Sequence, residues 1–193
     1  MIILRTLRRR DRFIILAIVG LVVAAVSHNI TGDRLLPEMP PMLYYNSTGS
    51  LPKGLYIRIP FDSDLTNSLM VGDYVVYEPD EASQALIRER NYLPEGIKLL
   101  KKVGAVAGEE FFINGDTYQC YVGVGETKRY IGQVATVDHA GRFMPEVRGK
   151  HTVPEGHFFP VGNTAYSFDG RYTGPVPVKN ILARVTPVFI EFW

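Results

Sequence analysis

Every residue from Phe13 to Val26 is apolar or glycine, so a helix here would have no polar face. Such a stretch cannot lie on the surface of a water-soluble fold. With Ser27, His28, Asn29 and Ile30 it reaches 18 residues, near the short end of what spans a bilayer. Arg5, Arg8, Arg9, Arg10 and Arg12 precede it, against Asp11, and only Arg34 follows closely. Positive flanks stay on the cytoplasmic side. Residues 1–12 are therefore expected as a cytoplasmic basic tail, 13–30 as a transmembrane anchor and 31–193 as an exported domain. A cleaved signal peptide shares the basic start and apolar run, but no clean small-x-small site precedes a polar stretch. Both readings export the body.

The total charge is +1, and the first twelve residues carry +4 of it, which leaves the rest at −3. A slightly acidic body lacks the basic footprint of a nucleic-acid binder. With 46% hydrophobic and 21% charged residues, the chain can build a core and is not generally disordered. One cysteine, Cys120, allows neither an internal disulfide framework nor a cysteine-rich zinc site.

The body reads as β structure. Residues 37–54 are rich in Pro, Gly, Ser and Asn and read as an irregular approach to a first strand, Leu55–Ile59. Further strands are expected at Tyr74–Tyr77, Ile97–Val103, Phe158–Val161 and Ile181–Ile190. Glu110–Ile113 and Thr117–Val122 flank Asn114-Gly115, a strong hairpin signal. Only Glu81–Arg90 reads as a helix, with Asp80 as N-cap and Pro94 beyond its end. Many short strands with turn punctuation indicate a mostly β domain of antiparallel sheets.

Several familiar chemistries are missing. Gly123-Val124-Gly125 lacks the third glycine of a dinucleotide loop, and no Walker lysine follows. No G-x-S-x-G elbow exists. His28, His139, His151 and His157 have no metal-ligand spacing. Asn29-Ile30-Thr31 and Asn46-Ser47-Thr48 match a glycosylation sequon, a weak signal.

Three segments remain. In Gly49-Ser50-Leu51-Pro52, the proline fixes its own φ and biases Leu51 toward extended geometry. Such a turn can present a hydroxyl and a free backbone N–H together. In Ile97–Val103, strand alternation puts Lys101 in line with Ile97, Leu99 and Val103, while Lys98 and Lys102 share the other face with Leu100. A lysine on a buried face loses pKa and can serve as a neutral base. In the third segment, Ser167, Asp169 and Arg171 alternate and would face one way if extended. An Asp–Arg pair there could lock a turn.

Taken in order, Ser-x-Pro, a strand with Lys-Lys and a following Gly-Glu, then Gly-Asn and Ser-x-Asp-x-Arg-x-x-Gly-x-Val resemble the type I signal peptidase family. The form Asn46-x-Thr48-x-Ser50-x-Pro52-x-Gly54-Leu55-Tyr56 is closer to its TraF-like branch, peptidases of conjugative transfer. The resemblance runs from the apolar segment to Arg184. It departs in two places: the family's Gly-Asp-Asn is shortened to Gly162-Asn163, and its Asp-Ser-Arg is Asp169-Gly170-Arg171.

The resemblance implies a Ser–Lys dyad with Ser50 as nucleophile and Lys101 as general base. Thr48 matches an oxyanion-stabilising hydroxyl, Ser167 the serine that orients the lysine amine, and Asp169 with Arg171 a supporting ion pair. It further implies a single-pass protein of a bacterial inner membrane with a periplasmic catalytic domain. The substrate would be an extended signal peptide or propilin, with conjugative transfer proteins as further partners. No metal or organic cofactor is expected. Two rivals are weighed: a soluble Ser–Lys autoprotease similar to LexA-like repressors, which the basic-apolar head disfavours, and a noncatalytic membrane-tethered scaffold of a secretion or pilus machine. Hydrolysis and acyl transfer to an amine, as in pilin cyclisation, both remain open.

Overall fold

The computed structural model describes residues 18–20, 42–60, 68–94, 96–145 and 147–190. Most of the apolar head therefore lies outside the described residues, although Ile18–Gly20 are helical. Among the described residues, no helix is long and apolar enough to cross a membrane.

The body is mostly antiparallel β structure. Its strands are β1 (Leu43–Asn46), β2 (Gly54–Ile59), β3 (Tyr74–Tyr77), β4 (Leu99–Val106), β5 (Glu110–Ile113), β6 (Gln119–Val124), β7 (Thr127–Gln133), β8 (Gly149–Thr152), β9 (His157–Val161), β10 (Val176–Pro177) and β11 (Ile181–Ile190). One sheet runs β1-β2-β11-β3-β4-β9-β10 and the other β7-β6-β5-β8. Helix α1 spans Glu81–Arg90, and a single turn, α2, spans Gly170–Thr173. Asp80 caps α1 by accepting from Ser83 N at 2.8 Å, and Asn91 ends it in the left-handed region at φ 52°.

Strands β3, β5 and β11 and helix α1 have the expected bounds. Four expectations are corrected. The stretch before Leu55 holds an ordered strand, β1, which pairs with β2 from Leu43↔Ile57 to Asn46↔Gly54. Pairing tolerated its irregular composition because Leu43 and Tyr45 fall on one face of the ribbon and Tyr44 on the other. The β5–β6 connection is not a two-residue turn at Asn114-Gly115. The last pair is Ile113↔Cys120, and Asn114 Oδ1 instead accepts from Asp116 N and Thr117 N at 2.8 and 2.9 Å. This side-chain turn draws residues 116–118 into the loop, with Tyr118 at φ 54°. Strand β4 begins at Leu99, not Ile97. Finally, Ser167, Asp169 and Arg171 do not form an extended run, because Asp169 caps α2 by accepting from Arg171 N.

Two cores share β4 and β9. Val75, Tyr77, Ile87, Leu99, Val103 and Phe158 belong to the first, which packs under α1. Ala105, Phe111, Ile113, Cys120, Val122 and Phe159 belong to the second, between the two sheets. Adjacent residues of a strand point to opposite faces, so Phe158 and Phe159 serve one core each. On β4 the switch from Val103 to Ala105 needs an extra residue. The β4–β9 register shifts there, with Gly104 as the bulge. A Cβ on Gly104 would lie 2.7 Å from a Val161 methyl carbon, which leaves no room for a side chain. The bulge lets β4 carry Leu99, Lys101 and Val103 toward one core and continue into the other.

Candidate active site

Strand β1 leads directly into the turn that holds Ser50. The turn is organised by Asn46, which is 7% exposed. Its Nδ2 donates to the carbonyls of Thr48, Leu51 and Pro52 at 3.1, 3.0 and 3.2 Å. Its Oδ1 accepts from Thr48 N at 3.2 Å and from Thr48 Oγ1 at 2.8 Å. Tyr56 OH donates to Pro52 O at 2.7 Å; burial first, then Tyr74, pushes its pKa up to about 12, so it stays a donor. Leu51, 2% exposed, anchors the turn in the core. Ser50 Oγ lies 2.8 Å from Thr48 Oγ1. The sequon at Asn46 has its amide nitrogen occupied by these carbonyls.

Lys101 is 5% exposed on the inward face of β4, opposite Val75 on β3. Burial lowers its pKa from 10.5 to about 8; the field of Asp169 works upward against this and that of Arg171 adds to it. Lys102 is partly exposed on the other face, and Lys98 pairs with Glu78 outside the core. Along β4, strand β9 pairs only with Lys102–Val106. The Leu99–Lys101 stretch therefore has β3 on one side and the cleft on the other.

The chain after β9 closes the arrangement. Asn163 N donates to Ser50 O at 2.6 Å, so the segment after Val161 holds the Ser50 turn from behind. A Cβ on Gly162 would lie 2.0 Å from Ser167 Oγ and 2.8 Å from Ser50 O. Only glycine lets the two backbones and the Ser167 side chain approach so closely. Ser167 Oγ is buried and has no hydrogen-bond partner.

Asp169 and Arg171 lie beneath this layer, 1% and 0% exposed. Asp169 Oδ2 accepts from Gly162 N at 2.7 Å, and Arg171 Nη2 donates to Gly162 O at 3.2 Å and Thr164 O at 2.7 Å. Arg171 Nη1 donates to Gln133 O at 2.7 Å, which ties the turn to β7 of the second sheet. Burial opposes the Arg171 charge, but the Asp169 carboxylate outweighs it and raises its pKa.

Ser50, Thr48, Lys101 and Ser167 thus line one cleft of ≈ 840 Å³, while Asp169 and Arg171 support its floor. The opposite wall comes from residues that the sequence did not single out. His139 stacks on Tyr166 with ring centroids 4.3 Å apart. Asp138 accepts from Tyr92 OH and Arg142 Nε, both at 2.8 Å, and from the backbones of Ala140 and Arg142. Desolvation works against its charge, yet these bonds hold its pKa well below the usual carboxylate range. They fasten the loop after β7 to the end of α1. Asp-x-Ala-Gly-Arg could have signalled this turn; nothing in the sequence tied it to the cleft. Cys120 is buried in the second core, and burial pushes its thiol pKa up to about 12, which leaves no reactive thiolate.

Two paired hydroxyls and a desolvated amine thus line one cleft of a mostly β scaffold. Comparison with known proteins gives the family. Residues 12–190 match the family described as signal peptidase, peptidase S26. Conjugal transfer protein TraF of Agrobacterium tumefaciens (strain 15955) is 32% identical over 152 residues, 75% of this chain and 80% of that protein. Signal peptidase I V of Bacillus subtilis (strain 168) is 33% identical over 100 residues, 48% of this chain and 58% of that protein. The chain belongs to the S26 signal peptidase family, on its TraF-like branch.

Proposed function

We propose that the chain is a membrane-anchored serine endopeptidase with a Ser50–Lys101 dyad, which removes leader peptides from exported proteins and matures a propilin for conjugative transfer. The observation that carries this reading is the convergence of Ser50, Thr48, Lys101 and Ser167 on one cleft, with the lysine out of water. The relative named for conjugal transfer supports the conjugative setting.

In the reaction, neutral Lys101 takes the Ser50 proton as Oγ attacks the scissile carbonyl. The Ser50 N–H and the Thr48 hydroxyl stabilise the oxyanion; one such donor contributes about 3–4 kcal/mol. Lys101 then gives its proton to the departing amine and leaves an ester on Ser50. Water, deprotonated by the same amine, cleaves that ester and restores the serine. If a terminal amine reaches the ester first, the product is a new peptide bond instead. The unpaired, buried Ser167 hydroxyl is the group that would orient the Lys101 amine toward Ser50 during the reaction, and the Asp169–Arg171 pair keeps the 162–169 turn in place. Substrate binds extended along Tyr45–Ser50 and the open side of Leu99–Lys101, through main-chain hydrogen bonds. Residues 13–30 anchor the enzyme in the inner membrane, residues 1–12 stay in the cytoplasm and 31–193 form the periplasmic domain.

Mass spectrometry of a propilin co-expressed with the wild-type chain or with Ser50→Ala tests this. Cleavage by the wild type alone supports it, and the product mass separates a free new terminus from a closed ring. An unprocessed propilin in both cases would favour the noncatalytic scaffold.

A further inference from the structure

We infer that Asn46 is a positioning residue for the nucleophile turn, and that it sets the direction of the Thr48 hydroxyl. This rests on the reading of Ser50 as nucleophile and goes beyond it. The orientation of the Asn46 amide is fixed by its neighbours. Nδ2 meets three carbonyl oxygens, and Oδ1 meets the Thr48 backbone N–H. A flipped amide would face oxygens with oxygen and a donor with a donor.

The consequence falls on Thr48. Its hydroxyl has one proton and two neighbours at 2.8 Å, Asn46 Oδ1 and Ser50 Oγ. Asn46 Oδ1 can only accept. The Thr48 proton therefore points to Asn46, and Thr48 Oγ1 offers a lone pair to Ser50. The resting order of donation is Ser50 to Thr48 to Asn46. The nucleophile's proton is thus held by Thr48 at rest.

This order must change during the reaction. Once Ser50 Oγ is bonded to the substrate carbon, it no longer donates to Thr48. The Thr48 hydroxyl is then free to turn its proton from Asn46 to the oxyanion. Asn46 Oδ1 keeps the Thr48 N–H bond, so the turn leaves no buried acceptor unpaired. Asn46 thus holds the turn's carbonyls fixed while its other end lets one hydroxyl switch partners.

The test uses the full chain in detergent micelles and a quenched fluorescent peptide that spans the cut site found by mass spectrometry. Asn46→Leu, Asn46→Ala and Thr48→Val are measured singly, and each Asn46 variant is also combined with Thr48→Val. Near-UV circular dichroism reports folding. Asn46 variants should fold, lose about 10-fold or more in kcat and keep KM within about threefold, as expected when only transition-state contacts are lost. Adding Thr48→Val to an Asn46 variant should cost much less than Thr48→Val alone, because the two act through one hydroxyl. Fully multiplicative losses, a kcat equal to wild type, or unfolding of both Asn46 variants would each overturn the inference. Activity in Ser50→Ala would instead remove the underlying nucleophile, a distinguishable result.

Discussion

Asp169 and Arg171 form a fork-to-fork ion pair with no access to water: Arg171 Nε meets Asp169 Oδ1 at 2.9 Å and Nη2 meets Oδ2 at 2.7 Å. The pair grips Gly162 by both its N–H and its carbonyl. Through Asn163 N, that grip reaches the carbonyl of Ser50. A charge pair two residues apart in sequence thereby fixes the distance between the strand that carries Lys101 and the turn that carries Ser50.

Breaking the pair leaves one buried charge without compensation. Arg171→Met should destabilise the fold by about 3–5 kcal/mol, and Asp169→Asn by a similar amount. The double variant should lose less than the two together, because no orphan charge remains. Urea unfolding of the full chain in micelles checks this; additive losses would show that the pair is not the unit of stability.

Gly162→Ala would put a methyl 2.0 Å from Ser167 Oγ and 2.8 Å from Ser50 O. Relief requires shifting the Ser50 turn or the Ser167 side chain. The expected loss in kcat is about 10²-fold, the effect of a misplacement near 1 Å. A crystal structure of the variant should show one of these displacements. Full activity would mean that the turn adjusts without consequence.

Ser50→Ala should abolish cleavage. Thr48→Val should fold and lose about 10²–10³ in kcat if its hydroxyl serves the oxyanion. Ser47→Ala, at the exposed neighbouring position, should be mild. Steady-state kinetics on the quenched peptide decides among these outcomes.

The Lys101 amine must be neutral to act as base, so kcat/KM should rise with pH through about 8. Lys101→Met should fold without cleaving, and Lys101→Arg should be inactive because guanidinium stays protonated. Lys102→Met should keep substantial activity and a similar profile. The same shift makes a stability statement. Between about pH 8 and pH 10.5 the unfolded chain binds the proton that folded Lys101 has lost. Stability should therefore rise across that window, by on the order of 3 kcal/mol, and level off above it. Below pH 8 both states are charged and the burial penalty is fully present. In Lys101→Met the rise should vanish, with a higher melting temperature at pH 7.

Protease added to spheroplasts should digest residues beyond the anchor and leave the short N-terminal tail. Digestion only after lysis would place the domain in the cytoplasm, against the arginine asymmetry of residues 1–12.

Local physics made much of this chain legible in its sequence. Period-two alternation was enough to separate Lys101 from Lys102, because a strand has only two faces and one of them is buried. The α1 boundaries followed from Asp80 as N-cap and Pro94 beyond the end, both local signals. The order of motifs was enough to suggest the family, which the match over residues 12–190 bears out. Tertiary structure alone decided the rest. The Gly104 bulge depends on how closely β9 approaches, and the need for glycine at 162 depends on Ser167 and Ser50 arriving from other segments. Asn46 looked like a glycosylation signal until its amide met three carbonyls of a turn that closes only when packed. Ser167, Asp169 and Arg171 were spaced like a strand, but a buried carboxylate found a helix N-terminus and an arginine instead. A sequence states which groups are present and how they alternate. Which of them meet is set by burial, since an unpaired polar group in the interior costs more than the local geometry can save.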